Sequence, residues 1–237
     1  MVDLSTYIQE NNQAQLIGIF KKKYNSLYNK IKHDWTPQHD ILLVSMCGKS
    51  KDEDSRDKKV YARNMYTGPA NQLLVNNLNY DKIDWIILSG GYGCMSQKSR
   101  INYYTDVIMD LTTDSLKGLS DFLKYQEDLV RFIKKGNYKH IIFTLSDTWM
   151  CTLDLEEICQ ATSDDCEIVC FLTKNRQNDK DFKIPDKITN IKIPDSWLKK
   201  FGSGRISIHE KIAVDYINYL LEHPNTSIKR FINTVVN

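Results

Sequence analysis

The chain has 237 residues, 41% of them hydrophobic, which is enough to bury one sizeable core and falls within the range of single-domain α/β proteins. Lys and Arg number 32 against 30 Asp and Glu, a net charge of +2 that excludes a general attraction to nucleic acid and leaves that work to local patches. No run of about 18 apolar residues occurs, and polar residues stand where a signal peptide has its apolar core, so a cytosolic protein without a membrane helix is expected.

Residues 3–34 carry Leu4, Tyr7, Ile8, Leu16, Ile19, Phe20, Tyr24, Leu27 and Ile31 at three- and four-residue steps, which predicts an N-terminal helix closed by Thr36-Pro37. Ile41-Leu42-Leu43-Val44 is a continuous apolar run, the pattern of a strand buried on both faces of a parallel sheet. It stops in Ser45-Met46-Cys47-Gly48-Lys49. The stretch 49–59 is so rich in charge that a solvated loop or lid is expected. Tyr66-Thr67-Gly68-Pro69 is a turn into a helix over 69–79, and a second buried strand at 85–89 runs into Gly90-Gly91-Tyr92-Gly93. Residues 101–105 read as extended and 115–135 as one amphipathic helix through Leu116, Leu119, Phe122, Leu123, Leu129, Phe132 and Ile133.

A third apolar strand at 140–145 ends in Ser146-Asp147-Thr148-Trp149. Beyond it the pattern gives a helix at 152–162, a strand at 167–173, a polar connection at 174–195, and a final helix at 208–222. The expected fold is therefore α/β, a three-layer α/β/α sandwich with a mostly parallel central sheet, in one domain whose core spans 40–175. Backbone amides and short side chains approach ligands closely at the carboxyl ends of such strands, so one pocket lined by Ser45, Lys49, Ser89, Gly91 and Tyr92 is expected there. The six cysteines lack CxxC spacing and read as buried thiols; a zinc site from Cys159, Cys166 and Cys170 lacks a fourth ligand nearby. No metal or cofactor is expected.

Four segments occur in a specific order: Val44-Ser45-Met46-Cys47-Gly48-Lys49, the block from Tyr61 to Pro69, Trp85-Ile86-Ile87-Leu88-Ser89-Gly90-Gly91-Tyr92-Gly93, and Tyr103-Tyr104-Thr105-Asp106. This order resembles the YaaA-related prokaryotic proteins, which carry a strand ending in Ser-Cys-x-Lys, an Ala-x-x-x-Tyr-Thr-Ser block, an Ile-Leu-Ser-Ala-x-x-Gly strand and a following Tyr-Asp. The resemblance covers residues 41–110. Met46 is inserted between Ser45 and Cys47, Gly68 replaces Ser, and Gly90 replaces Ala, departures that bear on the shape of the pocket. The resemblance implies a fold like that of uracil-DNA glycosylases and an activity like that of phage-defence glycosylases, which remove glucosylated hydroxymethylcytosine from viral DNA.

Hydrolysis of an N-glycosidic bond passes through an oxocarbenium-like state that needs a carboxylate near C1′ and donors to the departing base. The resemblance sets Asp106 beside the glycine loop as first candidate, followed by Asp52 and Asp54 on the charged loop; Asp106 is also placed to cap a helix. Ser45 and Ser89 would supply hydroxyls. Tyr66, Tyr92, Tyr103 and Tyr104 would wall an extruded base, with Cys47 on the same loop as either a nucleophile or a packed thiol. Lys49, Lys51 and Arg205, the last directly after Gly202-Ser203-Gly204, would contact phosphates. The expected partner is modified viral DNA, met by a monomer. Two further readings stand beside this one: a hydrolase or transferase acting on a free nucleoside or nucleotide, and a DNA-binding module without chemistry.

Overall fold

In the computed structural model, the residues described are 27–104, 113–171, 182–200 and 207–236, with Gly18 and Lys22. Asp106, Arg205, Gly202 and Gly204 lie outside them. The strands are β1 (Ile41–Met46), β2 (Val60–Tyr61), β3 (Asp84–Ser89), β4 (Gly93–Ser96), β5 (Arg100–Ile101), β6 (His140–Thr144), β7 (Glu167–Cys170) and β8 (Ile188–Asn190). The helices are α1 (Ala62–Met65), α2 (Pro69–Asn77), α3 (Thr113–Phe122), α4 (Tyr125–Lys135), α5 (Asp147–Met150), α6 (Leu155–Gln160), α7 (Asp195–Lys200), α8 (Ile208–Glu222) and α9 (Ile228–Phe231).

Six strands form the central sheet in the order β4-β3-β1-β6-β7-β8, while β2 and β5 pair apart from it as a short antiparallel ribbon. Every neighbour in the large sheet is parallel except β4, which returns antiparallel along β3. The chain leaves β1 toward β3 through α2, then reverses and reaches β6 on the other side of β1 through α3 and α4. Parallel crossovers keep one hand, so this reversal sends successive helices to opposite faces. Accordingly α2 packs with α8, which lies on β6, whereas α4 packs with α3, α6 and β4. The protein is thus a mixed α/β fold with a mostly parallel sheet flanked by helices. With both faces covered, Leu42, Leu43, Val44, Ile87, Leu88, Ile141 and Ile142 can all be buried.

The structure corrects several expectations. Helix does not continue to residue 34: it ends at Tyr28, and residues 31–40 are irregular. The His33 ring stacks on Tyr28 at 4.0 Å and Trp35 packs edge-on against Phe132 at 5.1 Å, contacts that a continuing helix would forbid. The helix expected at 115–135 is two helices, broken at Lys124, which has φ of 53°. The break lets the Leu123 carbonyl approach Gly93, where an added Cβ would meet that oxygen at 2.8 Å, and Gly93 itself has φ of 75°. The charged stretch after β1 is only partly solvated. Ser50 and Asp52 exchange backbone hydrogen bonds with Thr67 and Met65, and Lys51 and Ser55 are buried. Strands β4 and β8 appear where a glycine loop and a polar connection were expected.

Burial pushes the thiols of Cys166 and Cys170 up to about 12, so neither is a thiolate at neutral pH. No described helix is long and apolar enough to cross a membrane.

Candidate functional site

The carboxyl ends of β3, β1 and β6 lie side by side, with Ser45 in register between Ile87 and Thr144. The direction of chain winding reverses between β1 and β6, the position at which open α/β sheets place their ligands. Five of the residues singled out from the sequence cluster there or beside it: Cys47, Lys51, Tyr66, Ser89 and Tyr104.

Ser89 is the hub. Its Oγ lies 2.8 Å from the Tyr104 hydroxyl and accepts from the Tyr66 hydroxyl at 3.3 Å, and the two phenols are 2.9 Å apart. It also accepts the amides of Gly91 and Tyr92 at 3.3 and 3.2 Å, while its carbonyl accepts the Tyr125 hydroxyl at 2.9 Å. The glycine loop therefore curls around one hydroxyl, which explains why Ser is followed at once by two glycines. Lys51, only 8% exposed, holds its ammonium 4.5 Å over the Tyr104 ring and 3.4 Å from the Lys49 carbonyl. Its cationic head and apolar stem both suit an aromatic roof.

The other expected residues are deployed differently. Ser45 is not a free hydroxyl: it accepts the Trp85 indole N–H at 2.8 Å within the core. Gly91 and Tyr92 are buried, and the Tyr92 hydroxyl is held by Asn102 through its amide at 3.1 Å and its carbonyl at 3.3 Å. Cys47 accepts the Gly90 amide at 3.4 Å. Tyr103, unlike the buried Tyr104, turns toward the charged loop: it donates to Glu53 at 2.8 Å and carries Arg56 over its ring at 5.2 Å. Asp52 caps the turn at 53–55, accepting the Ser55 hydroxyl and the Asp54 amide, and Asp54 is exposed. Lys49 is exposed at the tip of the same loop.

No family model, no curated protein and no solved structure matches this chain. What the arrangement can do rests on its own chemistry. Besides the residues read from the sequence, the carboxyl end of the sheet gathers four that sequence reasoning passed over. Thr144 ends β6, Asp147 opens α5, and His209 and Glu210 occupy the first turn of α8. The His209 ring stacks on Phe171, just beyond β7, at 6.0 Å; burial lowers its pKa while the Asp147 charge pulls it up. Burial pushes the Glu210 carboxyl up to about 7. The one sequence signal for these positions was their placement, directly after an apolar strand or at the head of a helix.

A cleft of about 270 Å³ lies at the opposite end of the sheet, lined by Trp35, Gln38, Asp84, Trp85, Gln97 and Lys98. Its acids are already engaged: Asp84 accepts the Gln38 amide and the Tyr138 hydroxyl, both at 2.9 Å, and Asp34 pairs with Lys135. That end of a parallel sheet points strand amino termini at a ligand, and the chemistry-bearing groups are at the other.

Proposed function

We propose that the chain is an N-glycosyl hydrolase that removes a modified base from DNA, with glucosylated hydroxymethylcytosine of phage DNA as the first substrate to examine. One observation carries this reading. At the carboxyl end of β3, one strand away from the winding reversal, a hydroxyl cluster of Tyr66, Ser89 and Tyr104 lies beneath the ammonium of Lys51, a set of donors and a cation suited to a departing base and its phosphate. The uracil-DNA-glycosylase-like fold belongs to the same proposal, supported by the mostly parallel sheet. Asp106 remains the proposed carboxylate near C1′ from the family resemblance.

DNA is favoured over a free nucleotide by the surface beside the site. Along the ribbon of β2 and β5, Arg100 stacks on Tyr61 at 5.0 Å, Arg63 lies 4.6 Å over the same ring, and Lys58 and Lys59 are exposed. Cations interleaved with aromatic rings are the surface that single-stranded or extruded nucleotides use.

The test is incubation with DNAs carrying natural and hypermodified bases, followed by mass spectrometry of released base and alkali treatment for abasic sites. Free base and alkali-labile sites in equal amounts are expected. Binding without release would replace this reading with that of a DNA-binding module, and release confined to free nucleosides with that of a small-molecule hydrolase.

A further inference from the structure

Resting on that glycosylase reading, we propose that Glu210 is the general acid of the site, giving its carboxyl proton to the departing base as the C1′–N bond breaks. Its position follows from how α8 is laid on the sheet. Midway along this helix and just past its end, the Tyr216 hydroxyl and the Pro224 carbonyl lie 3.5 and 3.4 Å from the two ring nitrogens of His140, the first residue of β6. At the amino-terminal end, His209 covers Phe171 beyond β7. The first turn of α8 therefore sits over the carboxyl ends of the strands. Glu210, Val214 and Asn218 follow at four-residue steps along one side, and Asn218 donates to the Asn77 carbonyl of α2 at 3.0 Å. That side faces α2, whose own first turn meets the loop after β1: a Cβ on Gly48 would stand 2.9 Å from Asn71 Nδ2. Glu210, in the first turn of α8, is thereby turned toward the first turn of α2, near the carboxyl ends of β1 and β6.

Two polar atoms there have no hydrogen-bond partner among the described residues. One is Oε2 of Glu210, which is 5% exposed, and the other is Oγ1 of Thr144, which is 1% exposed. Strand alternation puts Thr144 on the same sheet face as Phe171, the face that α8 covers. Buried polar atoms are otherwise almost always paired, so two orphans on the one sheet face that α8 covers mark groups kept for a ligand.

Burial alone raises the Glu210 pKa to about 7, so the carboxyl holds a proton that it can transfer near neutral pH. No titratable residue of α2 faces it, since Pro69–Asn77 contains none, and β6 ends there in Thr144. His209 and Lys211 beside it in α8, Asp147 after β6, and Cys47, Lys49 and Lys51 after β1 are the titratable groups of the surrounding elements, and none of them sets its shift.

In the reaction the C1′–N electron pair leaves with the base nitrogen, which takes the Glu210 proton. A water oxygen bonds to C1′, and the proton that water sheds returns to the Glu210 carboxylate. The products are the free base and a 1′-hydroxy sugar in an otherwise intact strand.

The experiment compares the full-length wild-type chain with Glu210→Gln and Glu210→Asp on duplex DNA bearing glucosylated 5-hydroxymethylcytosine, between pH 5 and 9. Wild-type base release should decline above about pH 7. Glu210→Gln should lose about a hundredfold or more at pH 7 while binding the duplex as tightly, and its residual rate should not change with pH. Glu210→Asp should recover part of the rate together with the alkaline decline, which a merely structural role would not restore. Equal rates and pH profiles in wild type and Glu210→Gln would overturn the acid role and leave the glycosylase reading standing. Absence of release by wild type from this and every other modified duplex would overturn both.

Discussion

Ser89 Oγ meets two phenols and two backbone amides, so its removal strands several buried groups at once. Ser89→Ala should therefore cost about 2 kcal/mol, read as a lower urea midpoint at unchanged m-value, whereas Tyr103→Phe on the surface should cost well under 1 kcal/mol. Glu210 makes a second prediction at this scale. Its folded pKa of about 7 lies above the ordinary 4.5, so below pH 4.5 both folded and unfolded chains hold the proton. Between pH 4.5 and 7 only the unfolded chain ionises. The stability present in acid is thus lost as pH rises through that window, by about 3 kcal/mol in total, and Glu210→Gln should flatten the slope. Glu167 acts in the opposite sense: the Tyr216 hydroxyl, His140 and the Ile228 amide hold its pKa down against burial, and the stability it gives is lost on acidification. Urea titrations of both chains at pH 5 and 8 separate the two.

At the scale of elements, the N-terminal segment is fixed by a buried clasp. The His33 ring nitrogens each lie 2.8 Å from a backbone carbonyl, of Cys94 and of Tyr28. The Asp128 carboxylate stands 3.5 Å from the ring and accepts from the Tyr28 hydroxyl and from Arg131. Asp128→Asn removes the buried charge that Tyr28, His33 and Arg131 surround and should destabilise by about 3 kcal/mol, with proteolysis near residue 30 appearing at lower denaturant than in wild type. None of this clasp was legible in the sequence, where Leu27 and Ile31 continue a helical repeat and the partners of His33 lie 61 and more residues away, apart from Tyr28. The inner parallel strands β1, β3 and β6 were legible, because burial on both faces forces unbroken apolar runs at 41–44, 85–88 and 141–143. Strands β4 and β8 were not. Gly93-Cys94-Met95-Ser96 and Ile188-Thr189-Asn190 are too short to show a period, and they are strands only because a neighbour offers its edge. The break at Lys124 was hidden for the same kind of reason: Leu123 and Lys124 fit a helix, and only the approach of Gly93 shows why the chain turns there.

For the whole molecule, a net charge of +2 means that affinity for DNA must come from one region. The ribbon of β2 and β5 is the region we propose, and Arg100→Ala should weaken binding to all sequences alike and make the logarithmic salt dependence shallower by about one unit. An unchanged slope would move the DNA track elsewhere. The site itself was half legible. Ser89, Tyr66 and Tyr104 declared themselves by sitting in or near polar turns after apolar strands, but Glu210 is one of 30 acids, and only folding shows that it is buried. The central claim is that chemistry occurs at the carboxyl ends of β1, β3 and β6. It is tested most directly by hydrogen exchange of the chain with and without a duplex carrying a pyrrolidine abasic mimic, whose cationic ring copies the oxocarbenium charge. Protection is expected at 46–51, 89–92, 144–149 and 208–210. Protection confined to 34–38, 83–86 and 96–98, around the cleft at the amino end, would contradict it.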